Sequence, residues 1–66
     1  MRVVLNGKET EIKDSLTLQE LVREMKLKPE TVACELNLRI VKRKELPSTP
    51  LREGDRIEIL SMIGGG

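Results

Sequence analysis

Thr17-Leu18-Gln19-Glu20-Leu21-Val22-Arg23-Glu24-Met25 reads as an amphipathic helix with a marked start. Thr17 is the expected N-cap, because its hydroxyl oxygen can accept from a first-turn amide that has no partner inside the helix. Glu20 stands where its carboxylate can return to the Thr17 amide and complete a capping box, and Leu16 and Leu21 stand at hydrophobic-staple spacing. Leu18, Leu21, Val22 and Met25 fall on one stripe, while Gln19, Glu20, Arg23, Glu24 and Lys26 take the other face. Glu20 near the start and Lys26 near the end both suit the helix dipole. Pro29 disfavours helical geometry at Lys28, so the helix is expected to end by about Leu27. A single apolar stripe needs a single apolar surface beneath it, and the flanking segments read as the strands that provide one.

Upstream of the helix, Met1, Val3 and Leu5 alternate with Arg2 and Asn6, the period of a half-buried strand. Asn6-Gly7 is a strong hairpin signal, since both residues tolerate the positive φ of a type I′ turn. The return strand over 8–13 is polar except at Thr10 and Ile12, so it is expected at an edge. Its Lys8, Glu9, Glu11 and Lys13 discourage pairing with other chains. Downstream, Val32, Cys34 and Leu36 alternate with Ala33, Glu35 and Asn37, and residues 39–42 are expected to pair back as a short strand. Residues 44–50 carry Pro47 and Pro50 and read as a loop, and residues 51–55 read as a turn into a last strand over 56–62. In that strand Ile57, Ile59 and Ser61 are expected to point one way and Glu58, Leu60 and Met62 the other. The order strand, strand, helix, strand, strand, strand defines a two-layer α+β domain, with a mixed sheet of about five strands packed on one helix. Placing the last strand beside the first, in parallel, gives a β-grasp, or ubiquitin-like, roll. The expected organisation is a β-grasp domain over 1–62 and a flexible glycine tail over 63–66.

Composition narrows the function classes. A chain of 66 residues allows one small core, and with no Phe, Trp or Tyr that core must be filled by Leu, Ile, Val and Met. No apolar run approaches the roughly 20 residues of a membrane span, and the polar start Met1–Asn6 does not suit a signal peptide. Twelve basic residues nearly balance eleven acidic ones, so no electrostatic grip on nucleic acid or an anionic membrane is expected. The single cysteine, Cys34, cannot form an internal disulfide, which fits a reducing cytoplasm. Its alternation places it on the inward face as a small core residue rather than a sulfur-transfer thiol. The chain has no histidine, hence no imidazole base or imidazole metal ligand, and no metal site is expected. Glu9 with Glu11, and Glu20 with Glu24, have no expected pocket to shift their titration, so no catalytic residue is assigned to them. Lys42-Arg43-Lys44 is a basic run that reads first as a solvated loop and second as a dock for acidic partners.

The sequence ends Ile63-Gly64-Gly65-Gly66, three glycines directly after a strand. Frayed ends tolerate glycine, which is the plain explanation. The sharper one is a tail that threads, extended, through a slot too narrow for side chains. Gly64 and Gly65 would then supply the narrow passage, and the carboxylate of Gly66 would lie in a partner's active site. Leu60 and Met62, on the outward face of the last strand, are expected to form a docking patch with Val4 of the first strand and Ile63 at the root of the tail.

Several of these segments resemble the small sulfur carriers of the ThiS/MoaD superfamily, and most closely its thiamine-biosynthesis branch. They are Asn6-Gly7, Thr17-Leu18-Gln19-Glu20-Leu21, Val32-Ala33-Cys34-Glu35-Leu36-Asn37, Ile40-Val41, Glu53-Gly54-Asp55-Arg56-Ile57-Glu58-Ile59 and Ile63-Gly64-Gly65-Gly66. The resemblance covers essentially the whole chain, and the Gly-Gly terminus and Glu-Gly-Asp turn are its specific parts. It implies a carrier rather than an enzyme. Gly66 would be adenylated by an E1-like activating enzyme of ThiF type using ATP, and converted to a thiocarboxylate. The sulfur would come from a cysteine desulfurase or rhodanese-type donor and pass to a thiazole synthase of ThiG type. No cofactor bound by the carrier itself is implied. Carriers serving molybdopterin, cysteine or tRNA thiolation share the pattern, and a ubiquitin-like module that only binds protein would share the core without needing Gly66. Two positions depart from the family. Asn37 precedes Leu38 where Asn-Gly is frequent, and because leucine at positive φ is strained a different turn type is expected there. Lys42-Arg43-Lys44-Glu45-Leu46 replaces a segment that often carries Trp, which makes Leu46 the expected loop anchor.

Overall fold

The computed structural model describes residues 1–62. In chain order they form β1 (Arg2–Leu5), β2 (Lys8–Glu11), α1 (Leu18–Glu24), a 3-10 turn at Pro29–Thr31, β3 (Val32–Leu36), β4 (Arg39–Val41), a 3-10 turn at Arg43–Ser48 and β5 (Arg56–Ser61). The strands build one five-stranded sheet in the order β2-β1-β5-β3-β4. β1 and β5 run parallel, and every other neighbouring pair is antiparallel. This is the expected β-grasp: the last strand fills the gap between the two hairpins. Asn6 helps to fix that closure. Its amide donates to the Ile57 carbonyl at 2.8 Å, and its side-chain Oδ1 accepts from the Ile59 amide at 2.8 Å, extending the parallel ladder past the end of β1.

The helix covers the inward face as its stripe requires. Leu18, Leu21 and Val22 are buried with Val3, Cys34, Leu46, Leu51, Ile57 and Ile59, and Met25 packs at the margin. Full burial of one such aliphatic side chain contributes about 1.5–3 kcal/mol, set against about 1–2 kcal/mol of backbone entropy per ordered residue. The capping box is present: Thr17 Oγ1 accepts from the Glu20 amide at 3.2 Å, and Glu20 Oε1 accepts from the Thr17 amide at 2.8 Å. The helix stops at Glu24, short of the expected limit at Leu27. Its end is a Schellman motif: the Leu27 amide bonds the Val22 carbonyl at 3.2 Å and the Lys26 amide bonds the Arg23 carbonyl at 2.9 Å. Lys26 takes the left-handed position, with φ of 65°, where glycine is usual. The stop is therefore local and comes before Pro29 can act.

Two expectations for the second half are corrected. The proline-bearing segment is not a featureless loop, since residues 43–48 form a 3-10 turn around a fully buried Leu46, the expected anchor. Pro47 fits because the bonds that tie the turn to its flanking residues run from Glu45 N to Lys42 O (2.8 Å) and from Thr49 N to Leu46 O (3.4 Å), and neither uses its missing N–H. The turn between β3 and β4 also differs from expectation. Asn37 and Leu38 both have positive φ, 52° and 71°, as Asn6 and Gly7 do at 51° and 80°. Both two-residue connections thus have the positive φ pair of a type I′ turn, whose twist matches that of the strands. The strain at Leu38 is overruled by its neighbour. Asn37 Oδ1 accepts from the Arg56 amide at 2.9 Å, its Nδ2 donates to Asp55 Oδ1 at 3.0 Å, and its amide bonds the Arg56 carbonyl at 2.7 Å. Asp55 Oδ2 also accepts from the Arg52 amide at 2.7 Å, inside the turn that holds Gly54 at φ of 84°. Among the described residues no helix is long and apolar enough to cross a membrane.

Candidate functional site

Alternation along β5 buries Ile57 and Ile59 against α1 and turns Glu58 and Leu60 to the open side of the sheet. Met62 follows on that side, with its amide held by the Thr31 carbonyl at 2.7 Å. Ser61, expected inward, is exposed where the sheet runs out. The large apolar side chains left exposed are Leu38 (76%), Ile40 (79%), Leu60 (67%) and Met62 (65%). Strand register places Leu60 and Ile40 on one face, whereas Leu38 sits in the β3–β4 turn at the other end of β3 from Ala33. Leu60 stands opposite Ala33 on β3, Glu58 opposite Glu35, and Glu35 in turn opposite Ile40 on β4. A shallow cavity of about 600 Å³ opens on this face, lined by Asn6, Ala33, Glu35, Ile40, Glu58 and Leu60, with Cys34 and Ile59 at its floor.

The docking patch expected from the sequence is thus revised in its members. Val4 is half-buried and stands opposite Arg56, at the far end of β5 from Leu60. Arg56 and Glu58 separate it from Leu60 and Met62, so the three do not form one surface. Beside Leu60 on this face the register sets Ala33 and, across Glu35, Ile40. Nothing local marks them, because only the register of β4 on β3 and β3 on β5 puts them beside Leu60. Ile63, Gly64, Gly65 and Gly66 lie outside the described residues.

Other candidates resolve into structural uses. Cys34 is buried in the core, and burial raises its thiol pKa. Glu9 and Glu11 pair with Arg2 at 3.6 and 3.4 Å, Glu24 pairs with Lys13 at 3.4 Å, and Glu20 serves the capping box. Such exposed pairs are each worth about 0–1 kcal/mol. In the basic run, the Lys42 amide donates to Glu45 Oε1 at 3.2 Å and Arg43 Nη2 donates to the Glu30 carbonyl at 3.3 Å. Among the described residues no three His, Cys, Asp or Glu side chains converge as a metal site would require.

The sheet order, the single covering helix and the open apolar face define a ubiquitin-like β-grasp module. The ThiS family model matches residues 3–66, and the chain belongs to that family. Among solved structures, the thiamine biosynthesis protein ThiS of Geobacter metallireducens superposes with a TM-score of 0.84 at 33% identity, covering 100% of both chains. Two Thermus thermophilus relatives are similar over nearly their whole length. Sulfur carrier protein ThiS is 36% identical over 97% of this chain and 98% of its own, and sulfur carrier protein TtuB is 41% identical over 100% of both. The thiazole synthase of Paramagnetospirillum magneticum is 36% identical over 100% of this chain, which spans only 20% of that protein's length.

Proposed function

We propose that this chain is a sulfur carrier of thiamine biosynthesis whose Gly66 carboxylate is the reactive group. The observation that carries the reading is the family match running through residue 66, joined to full-length similarity to two proteins named as sulfur carriers. A carboxylate is a poor acyl donor because oxide is its leaving group. Attack of the carboxylate on the α-phosphorus of ATP releases pyrophosphate and leaves an acyl adenylate, whose leaving group is AMP. A partner's persulfide then attacks the carbonyl carbon, expels AMP and forms an acyl disulfide. A thiolate then attacks the partner cysteine's own sulfur, forms a disulfide with it, and releases the former outer sulfur on Gly66 as the thiocarboxylate. The thiocarboxylate is a soft nucleophile suited to delivering sulfur to a thiazole synthase.

In this scheme the carrier supplies an address and an arm, and the chemistry belongs to its partners. Leu60, Met62, Ile40 and Ala33 form the docking face for the adenylating enzyme, with Ile63 extending it, and Gly64 and Gly65 pass through a narrow channel. The thiazole synthase partnership draws support from a relative of that name that contains a counterpart of this entire chain. Similarity to TtuB supports a second reading with the same loading chemistry and another acceptor.

Incubation with an adenylating enzyme of ThiF type, ATP and a sulfide source tests the reading. The expected product is heavier by the replacement of one oxygen with sulfur, located on Gly66 by fragmentation mass spectrometry. An unchanged mass with a demonstrably active enzyme refutes carriage. Loaded carrier that gives no thiazole with a competent thiazole synthase favours the second acceptor.

A further inference from the structure

Glu35 and Glu58 face each other directly across β3 and β5, in the middle of the open face. Side chains opposed in this way have Cβ atoms about 4.5–5.5 Å apart, and like charges so placed repel. Among the described residues neither carboxylate takes part in an ion pair. Arg56 lies on the same face, one step along β5 from Glu58, and pairs with neither. The acid pair is bordered by apolar groups instead: Ile40 opposite Glu35, Leu60 next on β5, and Ala33 opposite Leu60.

These two features make opposing demands. Exposed Ile40 and Leu60 favour a dry contact. Drying the surface around two close carboxylates is unfavourable unless a cation arrives with the covering surface. An apolar partner without a cation is disfavoured by the acid pair, and a cationic partner without apolar groups leaves Ile40 and Leu60 wet. A guanidinium among apolar side chains satisfies both, because its planar fork of N–H donors can serve two carboxylates at once. The combination selects a partner by attraction and by exclusion together.

We propose that the open face docks a protein surface that presents an arginine among apolar side chains, with the guanidinium seated between Glu35 and Glu58 and its apolar neighbours on Ile40, Ala33 and Leu60. This rests on the carrier reading above. The occupant is the adenylating enzyme, because Leu60 and Met62 lead directly in sequence to the segment that enzyme receives.

Isothermal titration of the full chain with its cognate adenylating enzyme tests this, using the parent, Glu35→Gln, Glu58→Gln, the double variant and Met62→Asp. Each single Glu→Gln change is expected to weaken binding roughly tenfold or more. The double variant should lose less than the product of the two, since both carboxylates serve one cation. Added salt should weaken the parent complex more than the double variant's. Thermal melts of the Gln variants should match or exceed the parent's, because the repulsion in the free protein is relieved. Gln variants that bind as the parent does, while Met62→Asp loses binding, overturn the arginine seat and leave the carrier reading standing. A parent chain that neither binds nor is adenylated overturns both.

Discussion

Replacing Leu38 with glycine is expected to stabilise the protein, although it deletes an apolar side chain. Leu38 holds a φ of 71° in the β3–β4 turn. A residue with a Cβ in that left-handed region is strained by roughly 1–2 kcal/mol, which glycine avoids. Glycine loses more backbone entropy on folding, an opposing term of roughly 0.5–1 kcal/mol. The leucine side chain is 76% exposed, so little burial is forfeited. The balance favours Leu38→Gly by about 0.5–1 kcal/mol, and for a domain of this size each kcal/mol moves Tm by roughly 4–8 °C. A rise of about 2–8 °C is therefore expected by scanning calorimetry, with a higher urea midpoint at unchanged slope. The reciprocal change in the sister turn provides the control. Gly7 has a φ of 80° and open space around it, with no atom within 4 Å of where a Cβ would stand. Gly7→Leu should therefore lose about 0.5–1 kcal/mol, the backbone strain of roughly 1–2 kcal/mol less the roughly 0.5–1 kcal/mol by which glycine loses more entropy on folding. A Leu38→Gly protein that melts at or below the parent temperature refutes the reasoning, because the turn would then not be strained at Leu38.

Thr17→Ala removes the capping hydroxyl and should reduce stability by about 0.5–2 kcal/mol in urea denaturation; no change would mean that the bond from the Glu20 amide to the Thr17 hydroxyl contributes nothing. Cys34→Ala should still accept sulfur while losing stability within the roughly 0.5–3 kcal/mol usual for point changes, and a folded variant that is adenylated but cannot be loaded contradicts a core role. Burial raises the Cys34 pKa in the folded protein, so the thiol adds no pH dependence below its unfolded pKa. Above that value the unfolded chain releases the proton first and stability falls. Parent minus Cys34→Ala stability, measured from neutral to alkaline pH, should therefore decline as pH rises, and a flat difference would contradict the shift. Met62→Asp should weaken the complex with the adenylating enzyme and leave the melt unchanged, whereas Gly65→Val should still bind but lose ATP–pyrophosphate exchange. Normal exchange by Gly65→Val removes the narrow-channel explanation of the glycines.

Much of the fold is legible in the chain because its causes are local. Thr17 and Glu20 satisfy each other's amides within a single turn, Leu18, Leu21, Val22 and Met25 share a face by helical period alone, and Asn6-Gly7 selects its turn by backbone tolerance. Ile57 and Ile59 face inward because alternation leaves no other choice once one side of the strand is covered. The helix ends before Leu27, within the limit that Pro29 sets, but its exact last turn is not legible because the lysine in the left-handed position carries no glycine to announce it. The Asn37-Leu38 turn departs from its local preference for a different reason. Its geometry is imposed by Asn37 bonding to Asp55 and Arg56, residues distant in sequence, and those bonds outweigh the local preference of leucine. The open face follows the same rule. Sequence period placed Leu60 and Met62 outward, but it had no means of ranking Val4 against Ile40 or Ala33 as their neighbour, nor of setting Glu35 against Glu58. Those adjacencies are properties of register between strands, which the packing of α1 on the sheet and the hydrogen bonds of β5 to both its neighbours determine only when the whole chain is folded.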